Sequence, residues 1–345
     1  MTTLDRRTLF RAAAVLGLGA GLSACAGGGS GSDAAPAPAE AATRSVAHRY
    51  GSTEISGTPQ RVVTVGLTEQ DYVLALGLTP VGVREWFGGY PGALWPWAAD
   101  VADGAAPEVL PVVELNFEQI AALTPDLVLG INSALTQEEY DTLSAIAPTV
   151  AQPAEFADFG APWQTIAETV GTALGMAEQA GALVAEVEQQ FADVRDANPG
   201  FAGRTGLLAA LLEDGTYYIY AEGPAPRFLV DLGFSLPEPA AALFTGESRP
   251  PVLLSPEQLG VIDADVVLLG IYGDTAAAGL ADDPVYQGLP AVQAGRVVPM
   301  PELSTANGAI TFGSVLSLPI ALEVMPPLIT AAVDGDPATP VPAVA

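Results

Sequence analysis

Aromatic side chains and one guanidinium group are concentrated in the loop from Arg84 to Trp97, which also holds Trp86, Tyr90 and Trp95. This loop follows a predicted strand, and in open α/β sheets ligands bind beyond the carboxyl ends of the strands. Flat aromatic faces beside a planar cation suit a bulky ligand of mixed polarity. We therefore predict a ligand-binding site here, with the alternative that the rings pack together as a minor core.

Polar side chains also lie at the ends of other predicted strands. Asn132 and Ser133 follow a strand in the first half of the chain, and Tyr220 and Tyr272 lie at strand ends in the second half. We expect all four to face a ligand cleft. Capping of the next helix is an equally good role for Asn132 and Ser133.

Arginine supplies every positively charged side chain, because the sequence contains no lysine. Arg84, Arg227 and Arg249 are the arginines closest to the predicted cleft loops. A strongly anionic ligand would need several cations to converge on it. We include these three arginines in the predicted ligand site.

The elements that carry these loops include a repeated helix–strand unit, at residues 115–130 and again at residues 254–270. Each copy begins with a polar cap residue, Asn116 or Ser255, and has a glutamine at the third helical position that can close a capping box. A short apolar run then predicts a buried strand. One repeat at domain-sized spacing predicts two similar lobes.

A long helix is predicted between the two copies, because apolar residues recur with a period close to 3.6 across residues 162–198. Gly171 and Gly175 are candidates to weaken or break it, and the part after Gly175 alone would span about 30 Å. A helical connection is stiff, so we expect small movements between the lobes. A final helix is predicted at residues 312–332, with a break near Pro326.

The N-terminus has the pattern of an export signal. A twin-arginine start at Arg6 and Arg7 precedes an apolar run that is too short to span a bilayer. The run ends in Leu-Ser-Ala before Cys25, which resembles the bacterial lipobox, and a Gly/Ser/Ala/Pro-rich stretch follows. We therefore predict an extracytoplasmic lipoprotein that is anchored through Cys25 to the outer face of the cell membrane.

These patterns predict an α/β fold of two Rossmann-like lobes, joined by a long rigid connecting helix, with the ligand cleft between the lobes. The predicted parts are a signal peptide (1–24), a flexible tether (25–45), an N-terminal lobe (46–161), a helical connector (162–198), a C-terminal lobe (199–334) and a tail (335–345).

Charge and composition exclude several classes of partner. The formal net charge is −28, and such a surface repels nucleic acid. The single histidine, His48, lies near the tether and is predicted to be at the surface, so a zinc or manganese receptor with a histidine cluster is a poor fit. We expect no metal ligated by protein side chains and no cofactor.

Four segments, taken in order after the lipobox, resemble the helical-backbone solute-binding proteins of bacterial ABC importers, in particular ferric-siderophore-binding lipoproteins. The segments are residues 61–83, 115–128, 289–297 and 312–319. The resemblance implies two α/β lobes in a monomer that holds its ligand between them and delivers it to a permease dimer with its ATPase.

In that family one surface glutamate per lobe docks onto permease arginines, and the motif positions correspond to Glu118 and Glu257. A carboxylate in the first helical turn is favoured by the helix dipole. Stabilisation of the two helix starts is therefore the alternative role.

A ferric siderophore of hydroxamate or mixed type is the ligand that the resemblance and the composition favour, because a trianionic ferric catecholate would require more cations. Iron would enter only within the siderophore complex. Cobalamin or haem binding and a sensor role without transport remain alternatives. An exported carboxylate-based hydrolase is the rival class, but no Gly-x-Ser-x-Gly motif or carboxylate spacing supports an enzyme.

Overall fold

The computed structural model describes residues 43–245 and 249–344. The predicted signal peptide, Cys25 and most of the predicted tether lie outside these residues. Within the two described ranges, no helix has both the length and the apolar character needed to cross a bilayer.

An antiparallel hairpin precedes two five-stranded sheets. The first sheet is wholly parallel, with the strand order β5-β4-β3-β6-β7. The hairpin and the strands of this sheet are β1 (Thr43–His48), β2 (Gly51–Ser56), β3 (Val62–Thr64), β4 (Gly82–Arg84), β5 (Glu108–Leu110), β6 (Leu127–Leu129) and β7 (Thr149–Val150). The central strands β3 and β6 are buried along their whole length, as expected for a parallel sheet that is covered on both faces.

The second sheet has the strand order β10-β9-β8-β11-β12 and is mixed. Its central strands β8 and β11 pair in parallel, and β9 and β10 add antiparallel pairs at one edge. The strands are β8 (Gly206–Leu211), β9 (Tyr217–Tyr220), β10 (Val252–Leu254), β11 (Val266–Ile271) and β12 (Val297–Pro301). Every residue of β8 and β11 is buried, so the apolar runs of the sequence become the middle of this lobe.

Helices pack around both sheets. Their bounds are α1 (Glu69–Ala75), α2 (Pro96–Ala102), α3 (Phe117–Ala122), α4 (Gln137–Ser144), α5 (Trp163–Leu174), α6 (Ala177–Ala197), α7 (Pro224–Asp231), α8 (Glu238–Ala241), α9 (Asp274–Gly279), α10 (Pro284–Gln287), α11 (Pro290–Gln293), α12 (Thr305–Phe312) and α13 (Leu318–Val333). Short 3₁₀ helices lie at Pro91–Ala93, Pro199–Phe201 and Pro256–Ile262.

The connector is a pair of helices, α5 and α6, that pack side by side in opposite directions. Gly175 ends α5 in the left-handed conformation, with φ of 74°. Next to the turn, a Cβ on Gly171 would lie 2.3 Å from Cβ of Ala180, so glycine permits the close approach. Farther along, the rings of Trp163 and Phe191 stack at 6.4 Å. The predicted long helix after Gly175 is confirmed, because α6 has 21 residues.

The repeated unit is present in both lobes, with a difference in helix type. In the first copy, the Asn116 side chain accepts the backbone N–H of Gln119 at 3.0 Å and starts α3. In the second copy, Oε1 of Gln258 accepts the N–H of Ser255 at 3.1 Å and the helix is 3₁₀. The shared sequence therefore specifies where each helix starts, although the two helices differ in hydrogen-bonding pattern.

The predicted break of the last helix near Pro326 is wrong. Pro326 and Pro327 lie inside α13, and the chain breaks instead at Gly313, whose φ of 51° ends α12 in the left-handed conformation. Glycine in this conformation stops a helix, whereas proline can be tolerated within one as a kink.

The surface position predicted for His48 is also wrong, because the side chain is only 5% exposed. Its Nδ1 accepts the N–H of Tyr50 at 3.2 Å, and its Nε2 lies 2.9 Å from Oγ1 of Thr53. Thr53 in turn donates to the carbonyl of Thr149 in β7. The hairpin β1–β2 therefore folds against the first sheet and buries His48, which is the last residue of β1.

Candidate functional site

A cavity of about 250 Å³ lies between the two lobes. In the first lobe, its wall is formed by residues that follow β3, β4 and β6, and in the second by residues of the central strands and of α12. The wall includes Leu67, Trp86, Asn132, Tyr220, Tyr272 and Asn307. The cavity therefore lies where the parallel strands of the first sheet end, which is the usual ligand position in such sheets.

Asn132 is held in the cavity wall by a buried carboxylate. Oε1 of Glu69 accepts the N–H of Asn132 at 2.6 Å, and Nδ2 of Asn132 donates to Oγ1 of Thr68 at 3.1 Å. Glu69 is fully buried, and burial raises the pKa of its carboxyl although backbone hydrogen bonds oppose the rise. A Cβ on Gly66 would lie 2.0 Å from Oε1 of Glu69, so only glycine leaves room for this carboxylate.

A second buried carboxylate, Asp71, joins the two lobes. Its Oδ2 accepts the indole N–H of Trp97 at 2.9 Å and the hydroxyl of Ser314, which lies between α12 and α13. Burial raises the pKa of Asp71 to about 6, although both hydrogen bonds oppose the rise. The neighbouring Tyr72 hydroxyl donates to the carbonyl of Gly313 at 3.4 Å. Helix α1 is therefore bonded directly to the second lobe.

The predicted aromatic loop divides into a buried part and a part at the cavity. Trp95 and Trp97 stack with centroids 5.0 Å apart, and Trp95 is 2% exposed. Tyr90 packs on Trp95 at 4.9 Å, and Phe312 of α12 completes the cluster. Tyr90, Trp95 and Trp97 therefore pack in the core, which is the alternative role that the sequence offers for the aromatic loop. Trp86, by contrast, lies in the wall of the cavity.

Two tyrosines bring hydroxyl groups to the cavity from the second lobe. Burial, together with the nearby tyrosines, raises the pKa of Tyr220 to about 12. Burial also raises the pKa of Tyr272, which lies beside Thr311 and Asn307. Both phenols are therefore protonated at neutral pH, and they can donate hydrogen bonds to ligand oxygen atoms.

The charged groups in the cavity wall are paired. Arg249 lies 3.6 Å from Glu222, and its guanidinium lies over the ring of Phe244 at 5.5 Å. Asp158 forms an ion pair with Arg49. Each acid among the described residues of the wall thus has an arginine partner, and these residues present no surplus of positive charge.

The other predicted site residues lie apart from the cavity wall. Arg84 donates to the carbonyl of Val112 at 2.6 Å and so holds the loop that leads to α3. Arg227 pairs with Asp231 at 3.3 Å. Ser133 donates to the carbonyl of Gly130 at 2.6 Å. The cavity therefore brings together Trp86, Asn132, Tyr220, Arg249 and Tyr272 from the predicted set.

Within the part of the chain that the structure describes, no three His, Cys, Asp or Glu residues are grouped so that they could hold a metal ion.

Glu118 and Glu257 project from the starts of their helices, one in each lobe, and both are exposed. Neither forms an ion pair with the residues that are described. Hydrogen bonds at the helix start, from its own backbone N–H and from Ser255, lower the pKa of Glu257. An exposed aliphatic side chain lies shortly before each glutamate in the sequence: Val113 is 84% and Leu253 is 56% exposed.

Sequence reasoning missed the two buried carboxylates and the segment that crosses between the lobes. A signal for the carboxylates exists, because Glu69 and Asp71 lie in the first turn of a predicted helix that begins shortly after a predicted buried strand and Gly66. Phe159 and Asp158 gave no such signal, since their segment is rich in alanine, glycine and proline and has no periodicity.

Comparison with known proteins gives consistent matches. The family model described as periplasmic binding protein matches residues 62–303. The probable siderophore-binding lipoprotein YfiY of Bacillus subtilis (strain 168) is 30% identical over 238 residues, which are 67% of this chain and 69% of that protein.

Solved structures match over most of the chain. A periplasmic solute binding protein of Mycobacterium smegmatis superposes with a TM-score of 0.74 at 34% identity, and the match covers 84% of this chain and 99% of that one. PiaA of Streptococcus pneumoniae TIGR4, crystallised in complex with ferrichrome, gives a TM-score of 0.73 at 25% identity, covering 85% and 99% of the two chains.

Proposed function

This chain belongs to the periplasmic binding protein family, and we propose that it binds a ferric siderophore between its lobes and delivers the complex to an ABC permease. The observation that carries the proposal is the cavity between the lobes, lined by Trp86, Asn132, Tyr220 and Tyr272. An aromatic face and protonated hydroxyl groups suit a chelate whose surface combines hydrocarbon with oxygen atoms. The relatives named above are binding proteins, which favours a binding role over an enzymatic one.

The charge of the cavity wall favours a ferric hydroxamate or mixed-type siderophore. The carboxylates of Asp158 and Glu222 are each compensated by one arginine, so the described residues of the wall leave no positive charge for a polyanionic ferric catecholate. A neutral or weakly charged complex enters such a wall without leaving a buried charge unpaired. The siderophore would supply all the ligands to iron, and the protein would need no cofactor.

Cobalamin and haem are the alternative ligands of this fold, and both would occupy the same cavity. A sensor role without transport would use the same cavity but would not need a permease contact.

Glu118 and Glu257 are the groups that we propose for docking to the permease. They are exposed, they repeat once per lobe, and they have no ion-pair partner in the described ranges. Two such carboxylates suit charge-assisted pairing with arginines of a two-fold symmetric partner. We further propose a monomer outside the cytoplasm, exported by its signal peptide and tethered to the cell membrane through a lipid on Cys25.

Isothermal titration calorimetry of the purified chain with ferrichrome, a ferric triscatecholate, cobalamin and haem tests the ligand class. We expect the ferric hydroxamate to bind most tightly, and Tyr272→Phe to weaken its binding because a donor in the cavity wall is lost. Tight binding of the triscatecholate or of haem, with none of ferrichrome or another ferric hydroxamate, would contradict the proposal.

A further inference from the structure

Phe159 lies on the segment that crosses between the lobes ahead of α5, and it forms part of the cavity wall together with Asp158 and Gly160. It is 40% exposed, although a large apolar side chain gains free energy by burial. Because Phe159 lies in the cavity wall, a ligand bound in the cavity could cover its side chain.

The backbone of Phe159 has an unfavourable conformation, with φ of 58°. Among the described residues, the other non-glycine residues with positive φ are Ala93, Asp103 and Thr124, and their side chains are smaller. A bulky residue rarely adopts this left-handed region. Such strain persists only where the surroundings enforce it, and it is concentrated at ligand clamps and active sites.

Contacts from both lobes enforce this conformation. The N–H of Phe159 donates to the carbonyl of Ser133 at 3.4 Å, and the ion pair of Arg49 with Asp158 ties the segment to the N-terminal hairpin. On the other side, a Cβ on Gly223 would lie 2.8 Å from the carbonyl oxygen of Phe159. The start of α7 therefore packs directly on the strained peptide, and glycine is needed there.

We propose that Phe159 is a specificity-determining residue, whose ring packs on an apolar face of the bound ligand and selects chelates that carry such a face. This inference rests on the proposed function. Because both lobes hold the peptide of Phe159, the ring is placed at the cavity before ligand arrives, and little ordering of this residue accompanies binding.

The test compares ferrichrome binding and thermal unfolding of the wild type, Phe159→Gly, Phe159→Ala and Phe159→Leu. Loss of a buried aromatic contact weakens binding by about tenfold or more, so we expect this loss for the alanine and glycine variants and a smaller one for leucine. Glycine relieves the backbone strain, so Phe159→Gly should unfold at a higher temperature than Phe159→Ala. Val230→Ala, at a 51% exposed residue of α7 away from the cavity, is the control and should bind as the wild type does.

A purely structural role would change the unfolding temperature and leave the Kd for ferrichrome unchanged. That result for Phe159→Gly would overturn this inference but not the proposed function. A wild type that binds neither ferrichrome nor another ferric hydroxamate overturns the proposed ligand class, and this inference with it.

Discussion

Replacing Asp71 by asparagine should change how the stability of this protein depends on pH. The pKa of Asp71 rises from its ordinary value of 3.8 to about 6 in the folded state. The folded protein thus binds this proton more tightly than the unfolded chain does, and the wild type loses stability as pH rises from about 4 to 7. At 1.36 kcal/mol per pKa unit, Asp71 lowers the free energy of unfolding by roughly 2–3 kcal/mol over this range.

Asparagine cannot ionise, and its carbonyl can still accept from Trp97 and Ser314. The free energy of unfolding of the variant, taken relative to that of the wild type, should therefore rise by roughly 2–3 kcal/mol between pH 4 and pH 7.5. This change does not depend on the absolute stability of the variant. Urea unfolding at both pH values, followed by circular dichroism, measures this difference. Asp100→Asn, at an exposed carboxylate of α2, is the control. Wild-type and Asp71→Asn stabilities that keep a constant difference across the pH range would refute the reasoning.

Further predictions concern packing, titration and docking. Gly66→Ala should displace Glu69 and destabilise the protein by about 2 kcal/mol or more. At Gly181 an added Cβ meets no atom within 4 Å, so Gly181→Ala should stabilise α6 by up to about 1 kcal/mol. Equal urea midpoints for the two variants would contradict this prediction. Burial lowers the pKa of His48, so the unfolded chain binds a proton at this residue more readily than the folded protein does. The contribution of His48 to the free energy of unfolding should therefore fall as pH drops below about 6.5. If His48→Gln left the pH profile of unfolding unchanged, that result would argue against this prediction. The double variant Glu118→Arg/Glu257→Arg should lose siderophore uptake by cells and keep its Kd for ligand, and normal uptake would exclude the docking role.

The sequence predicted those parts of the fold that depend on local patterns. The caps at Asn116 and Ser255, the stop at Gly175 and the buried strand β8 each follow from one residue type or one periodicity. The stop at Gly313 was missed because proline, here Pro326 of the following helix, is the stronger breaker in sequence. Only the left-handed backbone of the folded chain shows that glycine ends the helix.

The site was less predictable because its formation depends on contacts between distant segments. Trp86 and Trp95 lie in one loop and have similar sequence surroundings, yet Phe312 from the other lobe packs with both while the cavity reaches only Trp86. His48 is buried because a hairpin folds back onto β7, which no local pattern shows. The repeat nevertheless identified the loop of Asn132 as a wall of the cleft.

The central claim is that a ferric siderophore binds in the cavity between the lobes, and anomalous diffraction at the iron edge from crystals grown with ferrichrome tests it most directly. We expect one strong iron peak in the cavity between Trp86 and Tyr272, with the siderophore supplying every iron ligand. An iron peak bound by protein carboxylates elsewhere, or a bound chelate outside this cavity, would contradict the claim.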